Sequence, residues 1–419
     1  MVKSIRLRRF GVPATLAAFG VFALAGCSAA APTDPAAAPS GEPTAAVGEC
    51  GTVPQVGAQD PEGLLGGLSQ SIQDGYNGYP YTLQKSAWAD WKSEKTEGYT
   101  AAIVGTSPAA PFISVYQQTL ASALEEAGVD VVLNVAPNDP SDVPGQLQQF
   151  SQAISLKPDV IFLNPVAPEP ALDLVEEAHA AGIPVVSIVV PIDSPYAVSV
   201  TYNAVLQSMQ TASAVFGSIG GSGDVLEVTG VPGIPVQVFW DAGRDASLEL
   251  CPDIDVIGSV QGLFQPPLAQ QAVVQYLATN PAGVDAVIQA GTMGWAIRDA
   301  FAQAGQPVPP IQDAGGSRGM VAYAAANDGY PYVGTATPPV DMARMAAQVG
   351  VKILAGAGPK LNHIVWAPYV VDSSNLADIA DPSWVPEDGT DLAPEGVYFT
   401  DEQTAEFFSS PELGPQTAD

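Results

Sequence analysis

Few residues in this 419-residue chain are of the kind that carry out covalent chemistry. Gly315-Gly316-Ser317-Arg318-Gly319 matches the G-x-S-x-G pattern of a nucleophile elbow and falls between a strand-like and a helix-like segment, where an elbow would present its serine. Asp341 and His363 follow in hydrolase order. No oxyanion segment of the HGGG type accompanies them, and both fall in the other half of the two-part fold outlined below, which defeats the geometry a triad needs. Ser317 therefore reads as part of a flexible βα loop, with an exported esterase as the lesser alternative. His179 and His363 are the only histidines, so base-dependent chemistry has few candidates, and His179 reads as lying on an acidic, solvent-facing helix surface. The cysteines lack zinc-site spacing, and Walker and GxGxxG motifs are absent. The expectation is no catalytic residue, no metal and no cofactor.

The three cysteines, Cys27, Cys50 and Cys251, point to attachment and cross-linking instead. Lys3, Arg6, Arg8 and Arg9 form a basic stretch before an apolar run, Ala14 to Ala25, which suits a signal peptide and is too short to span a bilayer. The run ends in Leu24-Ala25-Gly26-Cys27, which resembles the bacterial lipobox, so Cys27 is expected to be lipidated and to hold the chain on the outer face of the cell membrane. Ser28 to Gly48 has the Ala/Pro/Ser/Gly composition of a tether. Lipidation of Cys27 leaves Cys50 and Cys251, an even remainder that reads as a disulfide in an oxidising compartment. Removing the signal leaves ten basic residues against 44 acidic ones, a formal charge of −34. A field of that sign repels phosphate, which excludes nucleic-acid binding as the main function and disfavours a polyanionic ligand.

From Tyr99 onward, strand-length apolar runs alternate with Ala-rich amphipathic segments, the pattern of βα units around parallel sheets. Expected helices include Ile113–Ala127, Pro170–Ala181, Val238–Leu250 and Val340–Ala355. The roughly 320 residues after Tyr99 exceed what one core holds, so two lobes are expected.

Four segments then resemble the type I periplasmic sugar-binding proteins, the ribose- and galactose-binding branch. They are Thr106-Ser107-Pro108-Ala109-Ala110-Pro111-Phe112 after the first strand, Asp159 to Pro165 (DVIFLNP), Ala181 to Val186 (AGIPVV), and Tyr202-Asn203. The resemblance covers Gly98 to about Val371. It implies an α/β fold of two doubly wound parallel-sheet lobes joined by a three-crossing hinge, with ligand held between carboxyl ends of strands. The expected division is a signal peptide (1–26), a tether (27–49), an N-terminal extension (50–98), a first lobe (99–203 and 338–366) and a second lobe with the C-terminal tail (204–337 and 367–419). Thr106, Phe112, Asn164, Tyr202, Trp240 and Asp313 are the expected ligand-binding residues.

The departures from that branch concern polarity. Its Asp-Arg after the Ile-Pro-Val strand falls at Val189-Val190, its second-lobe Arg near Val238, its Asn-Asp pair at Ala290-Gly291-Thr292, and its last hinge Gln at Thr337. Sugars need these partners, because desolvated hydroxyls are costly when unpaired. The resulting expectation is a monomeric solute-binding lipoprotein of an ATP-binding-cassette (ABC) importer, taking a small molecule less polar than a sugar to a membrane permease. A sensory lipoprotein of the same fold is the alternative.

Overall fold

The computed structural model describes residues 49–53, 56–389 and 399–414. Cys27, the expected lipidation site, lies outside them. A short helix, α1 (Gln70–Gly75), belongs to the N-terminal extension. It is followed by β1 (Thr100–Val104), α2 (Pro111–Glu126), β2 (Asp130–Val135), α3 (Val143–Leu156), β3 (Val160–Leu163), α4 (Pro168–Ala180), β4 (Val185–Ile188) and β5 (Ala197–Tyr202). A second series runs α5 (Ala204–Ser218), β6 (Ser222–Thr229), α6 (Pro235–Leu250), β7 (Asp253–Gln261), α7 (Pro266–Thr279), β8 (Ala286–Gln289), α8 (Gly294–Ala304), β9 (Gln312–Asp313), α9 (Arg318–Ala326) and β10 (Val333–Ala336). The chain continues through α10 (Pro339–Leu354), β11 (His363–Trp366), β12 (Tyr369–Asp372), α11 (Leu376–Ile379) and α12 (Asp401–Glu406).

The first sheet is parallel throughout, in the order β2-β1-β3-β4-β5-β11. Its inner strands are buried on both faces, which is why β1, β3 and β4 read as continuous apolar runs without alternation. One core lies between this sheet and α2 and α10; a second lies on the opposite face beneath α3 and α4. The second sheet consists of β7-β6-β8 and β9-β10-β12, linked by a parallel bridge between Val287 and Ile311. Only β12 runs antiparallel, and no strand was expected there from the sequence. The chain is thus a two-lobed α/β protein.

Several helices start earlier than expected. Ile113, Pro170 and Val238, expected as first residues, lie inside helices that begin at Pro111, Pro168 and Pro235. Proline at the first helical turn presets φ and lacks an N–H that would be unpaired there anyway.

The extension is split between lobes. Cys50 is joined to Cys251 at the end of α6, and Gly51 N donates to Ser213 Oγ on α5. Further along, Ile72, Tyr76, Leu83 and Trp88 are buried in the first lobe's core, and Tyr76 bridges to Trp366 on the outer edge of β11, covering an otherwise open sheet edge. His179 is partly covered, its ring stacked on Tyr196 at 4.2 Å and edge-on to Trp88. The tail also corrects the expected division: Phe399, Phe407 and Phe408 belong to the first lobe's core, not the second, because that core offers them Tyr76 and the α10 surface.

Candidate functional site

The carboxyl ends of both sheets open onto one cavity of about 150 Å³. In open α/β sheets this is where ligands bind, since the crossovers leave a crevice there. Thr106 and Phe112 reach the cavity from the loop and helix after β1, Asn164 from the end of β3, Val189 and Val190 from the end of β4, and Tyr202 from the end of β5. Gln146 of α3, buried and not foreseen, ties two of these loops together. Its Nε2 donates to the carbonyls of Gly105 (2.6 Å) and Asn164 (2.7 Å), and its Oε1 accepts from Val166 N (2.6 Å). With the backbone so held, Asn164 Nδ2 donates to Thr106 Oγ1 at 3.2 Å. Asn164 Oδ1 is buried and has no partner.

Val189 has φ +64°, an outlier for a β-branched residue. It is the centre of a γ-turn closed by Val190 N donating to Ile188 O at 2.7 Å. Two hydroxyls hold the turn: Thr201 Oγ1 donates to Val189 O and Ser187 Oγ to Val190 O. The turn places two valine side chains in the wall of the cavity.

The second lobe supplies Trp240 from α6, together with a loop the sequence reading missed. Leu263 and Phe264, after β7, are consecutive non-glycine residues at positive φ, +56° and +59°, and both line the cavity. The Phe264 ring fits against two glycines: a Cβ on Gly230 would lie 2.0 Å from its Cζ, and one on Gly291 2.7 Å from its Cδ1. Three of the four non-glycine residues at positive φ among the described residues therefore border this cavity, as expected where backbone strain accompanies function.

Two expectations need correction. Asp313 does not line the cavity. It is fully buried under α9, where its carboxylate accepts from Ser317 N (2.9 Å), Ser317 Oγ (3.3 Å) and Tyr332 Oη (2.8 Å). Burial outweighs these bonds and pushes its carboxyl up to about 6. Val238 is half exposed and outside the cavity; one helical turn sets Val236 and Trp240 facing inward instead. The same Asp313 contact disposes of the elbow, because the Ser317 hydroxyl is buried and bonded to it, while His363 stacks on Tyr81. Among the described residues no cluster of His, Cys, Asp or Glu could hold a metal ion.

Among the described residues no acidic, basic or histidine side chain lines the cavity. Its one titratable group, the Tyr202 phenol, is raised by burial and stays neutral. Such a site can enclose and orient an uncharged molecule. Two parallel-sheet lobes sharing one cavity at their strand ends have the architecture of a solute-binding protein.

The chain belongs to the family of the periplasmic binding protein domain, whose model matches residues 101–358. Among solved structures it is similar to an ABC transporter solute binding protein from Mycobacterium smegmatis with bound glycerol (20% identity, 71% of this chain and 100% of that one, TM-score 0.60). One from Thermobispora bispora is also similar (23% identity, 72% and 92%, TM-score 0.59). So is one from Bacillus halodurans with bound myo-inositol (16% identity, 68% and 98%, TM-score 0.58). Among curated proteins none matches the sequence.

Proposed function

We propose that this chain is the solute-binding lipoprotein of an ABC importer, anchored through Cys27 on the extracytoplasmic face, and that it closes its lobes on a small uncharged molecule for delivery to a membrane permease. The hinge lies where the chain passes between sheets, at Asn203, Thr337 and Ala367, and the Cys50–Cys251 disulfide forms after export. Thr106, Phe112, Asn164, Tyr202 and Trp240 contact the ligand. Family membership and the fold shared with solute-binding proteins of ABC transporters support solute capture. The observation that carries the ligand reading is the cavity wall, where Val189, Val190, Val231, Ile234 and Val236 lie among aromatic rings with no charged side chain. The glycerol and myo-inositol bound by two similar proteins carry a hydroxyl on every carbon, and each would need a partner once desolvated.

Calorimetry of the mature protein with ribose, galactose and glycerol tests this reading. The expected result is no saturable heat at millimolar concentration. Tight, enthalpic binding of any of the three would overturn the apolar assignment. Expression of Cys27→Ser in the native host tests the anchor separately: the protein should move from the membrane fraction to the soluble one.

A further inference from the structure

The polar atoms of the cavity are unevenly placed. Among the described residues of the lining, Asn164 alone has a buried side-chain polar atom without a partner, its Oδ1. A carboxamide oxygen accepts and cannot donate, so it calls for a donor. Its neighbour Thr106 Oγ1 already accepts from Asn164 Nδ2, which leaves the threonine proton to be given away. An acceptor and a donor side by side match a hydroxyl, which donates to one and accepts from the other; an ether or ester oxygen could satisfy only Thr106, and an N–H only Asn164. Of the other lining groups, Ser107 Oγ donates to Asn138 O and Thr337 Oγ1 to Ala314 O, while Tyr202 and Gln265 are only partly buried.

Most of the remaining wall is hydrocarbon and aromatic, with Phe112 and Trp240 brought from opposite lobes. A cavity of about 150 Å³ is the size that takes up a single six-membered ring, as engineered apolar cavities do with benzene. Resting on the apolar reading above, we infer that the ligand class is an uncharged, ring-sized molecule with a hydrocarbon body and one hydroxyl, seated on Asn164 and Thr106.

A series on one ring tests this: cyclohexanol, methoxycyclohexane, methylcyclohexane, cyclohexanecarboxylate and myo-inositol, titrated into the mature protein by calorimetry. Cyclohexanol is expected to bind at least about tenfold more tightly than methylcyclohexane or methoxycyclohexane, since a site built to bond a hydroxyl rejects the analogue without one. The carboxylate and myo-inositol should bind about 100-fold more weakly than cyclohexanol, having charge or five hydroxyls to desolvate without partners. In Asn164→Leu the preference for cyclohexanol over methylcyclohexane should vanish. If that variant does not fold, Thr106→Val should halve the preference on a logarithmic scale. Equal binding of cyclohexanol, methoxycyclohexane and methylcyclohexane would overturn the hydroxyl assignment while leaving the apolar reading standing. Preferred binding of myo-inositol would overturn both, and saturable binding of none of the five would overturn the ligand class.

Discussion

Replacing Asp313 with Asn should change how the stability of the protein depends on pH. The carboxyl group is fully buried, and its folded-state value of about 6 stands against an ordinary 3.8. The native state therefore holds this proton over a pH range where the unfolded chain has released it. The contribution of Asp313 to stability is full below the unfolded value and is lost as pH rises through about 6. The shift corresponds to about 3 kcal/mol across the whole range. Between pH 4.5 and 7.5 the two titration curves diverge by about two-thirds of that, roughly 2 kcal/mol. Asn has the same shape and can still accept from Ser317 N, but it does not titrate. Urea denaturation of both proteins at several pH values in that interval gives two stability profiles. Their difference removes every other carboxylate from the comparison, and it should move in favour of Asp313→Asn by roughly 2 kcal/mol as pH rises. A difference that stays flat within about 0.5 kcal/mol would refute the reasoning, since it would mean that the native carboxylate is as well solvated as the unfolded one.

Three further perturbations follow from the packing. Gly230→Ala would drive its Cβ into the Phe264 ring, so it should cost about 1–3 kcal/mol in urea denaturation and weaken cyclohexanol binding about tenfold by displacing a cavity wall. Cys251→Ser opens a covalent loop with a sequence separation of 201 residues; chain-entropy arguments allow a loss of up to roughly 5 kcal/mol, measurable as a lower melting temperature that reductant no longer shifts. Phe407→Ala removes a fully buried ring that packs on Tyr76 and Phe399, so it should cost about 3–5 kcal/mol in the first lobe's unfolding transition.

Local patterns carried much of this structure. The alternation of apolar runs with amphipathic segments is set by burial on both sheet faces, so the parallel strands and most helices can be read from the sequence. Thr106, Phe112, Asn164, Tyr202 and Trp240 sit at strand ends or just inside the helices that follow, and the structure brings all five to one cavity. Phe264 was not legible. Its place depends on Gly230 and Gly291, which are remote in sequence, and on two successive left-handed residues that nothing in Leu263-Phe264 announces. Its position directly after a strand of the second lobe was the available signal. Asp313 misled for a related reason: a strand-end carboxylate faces either the cleft or the next helix, and only the contact with Ser317 and Tyr332 decides which. The tail's return to the first lobe rests on aromatic contacts that sequence order does not encode.

The γ-turn at Val189 bears on how such a cleft diversifies. Positive φ at the centre of a γ-turn is strained for an L-residue and most of all for a β-branched one, so Val189 keeps its place because the turn is fastened from outside. An amide side chain here would set a donor and an acceptor into the wall of the cavity, beside a turn already fastened by Thr201 and Ser187. Mutations that remodel a binding site usually have to be tolerated against a loss of stability. Val189 is buried, so a step from hydrocarbon cargo toward polyols at this position strands new polar atoms until a ligand hydroxyl pairs with them, and the fastened turn is what holds the backbone meanwhile.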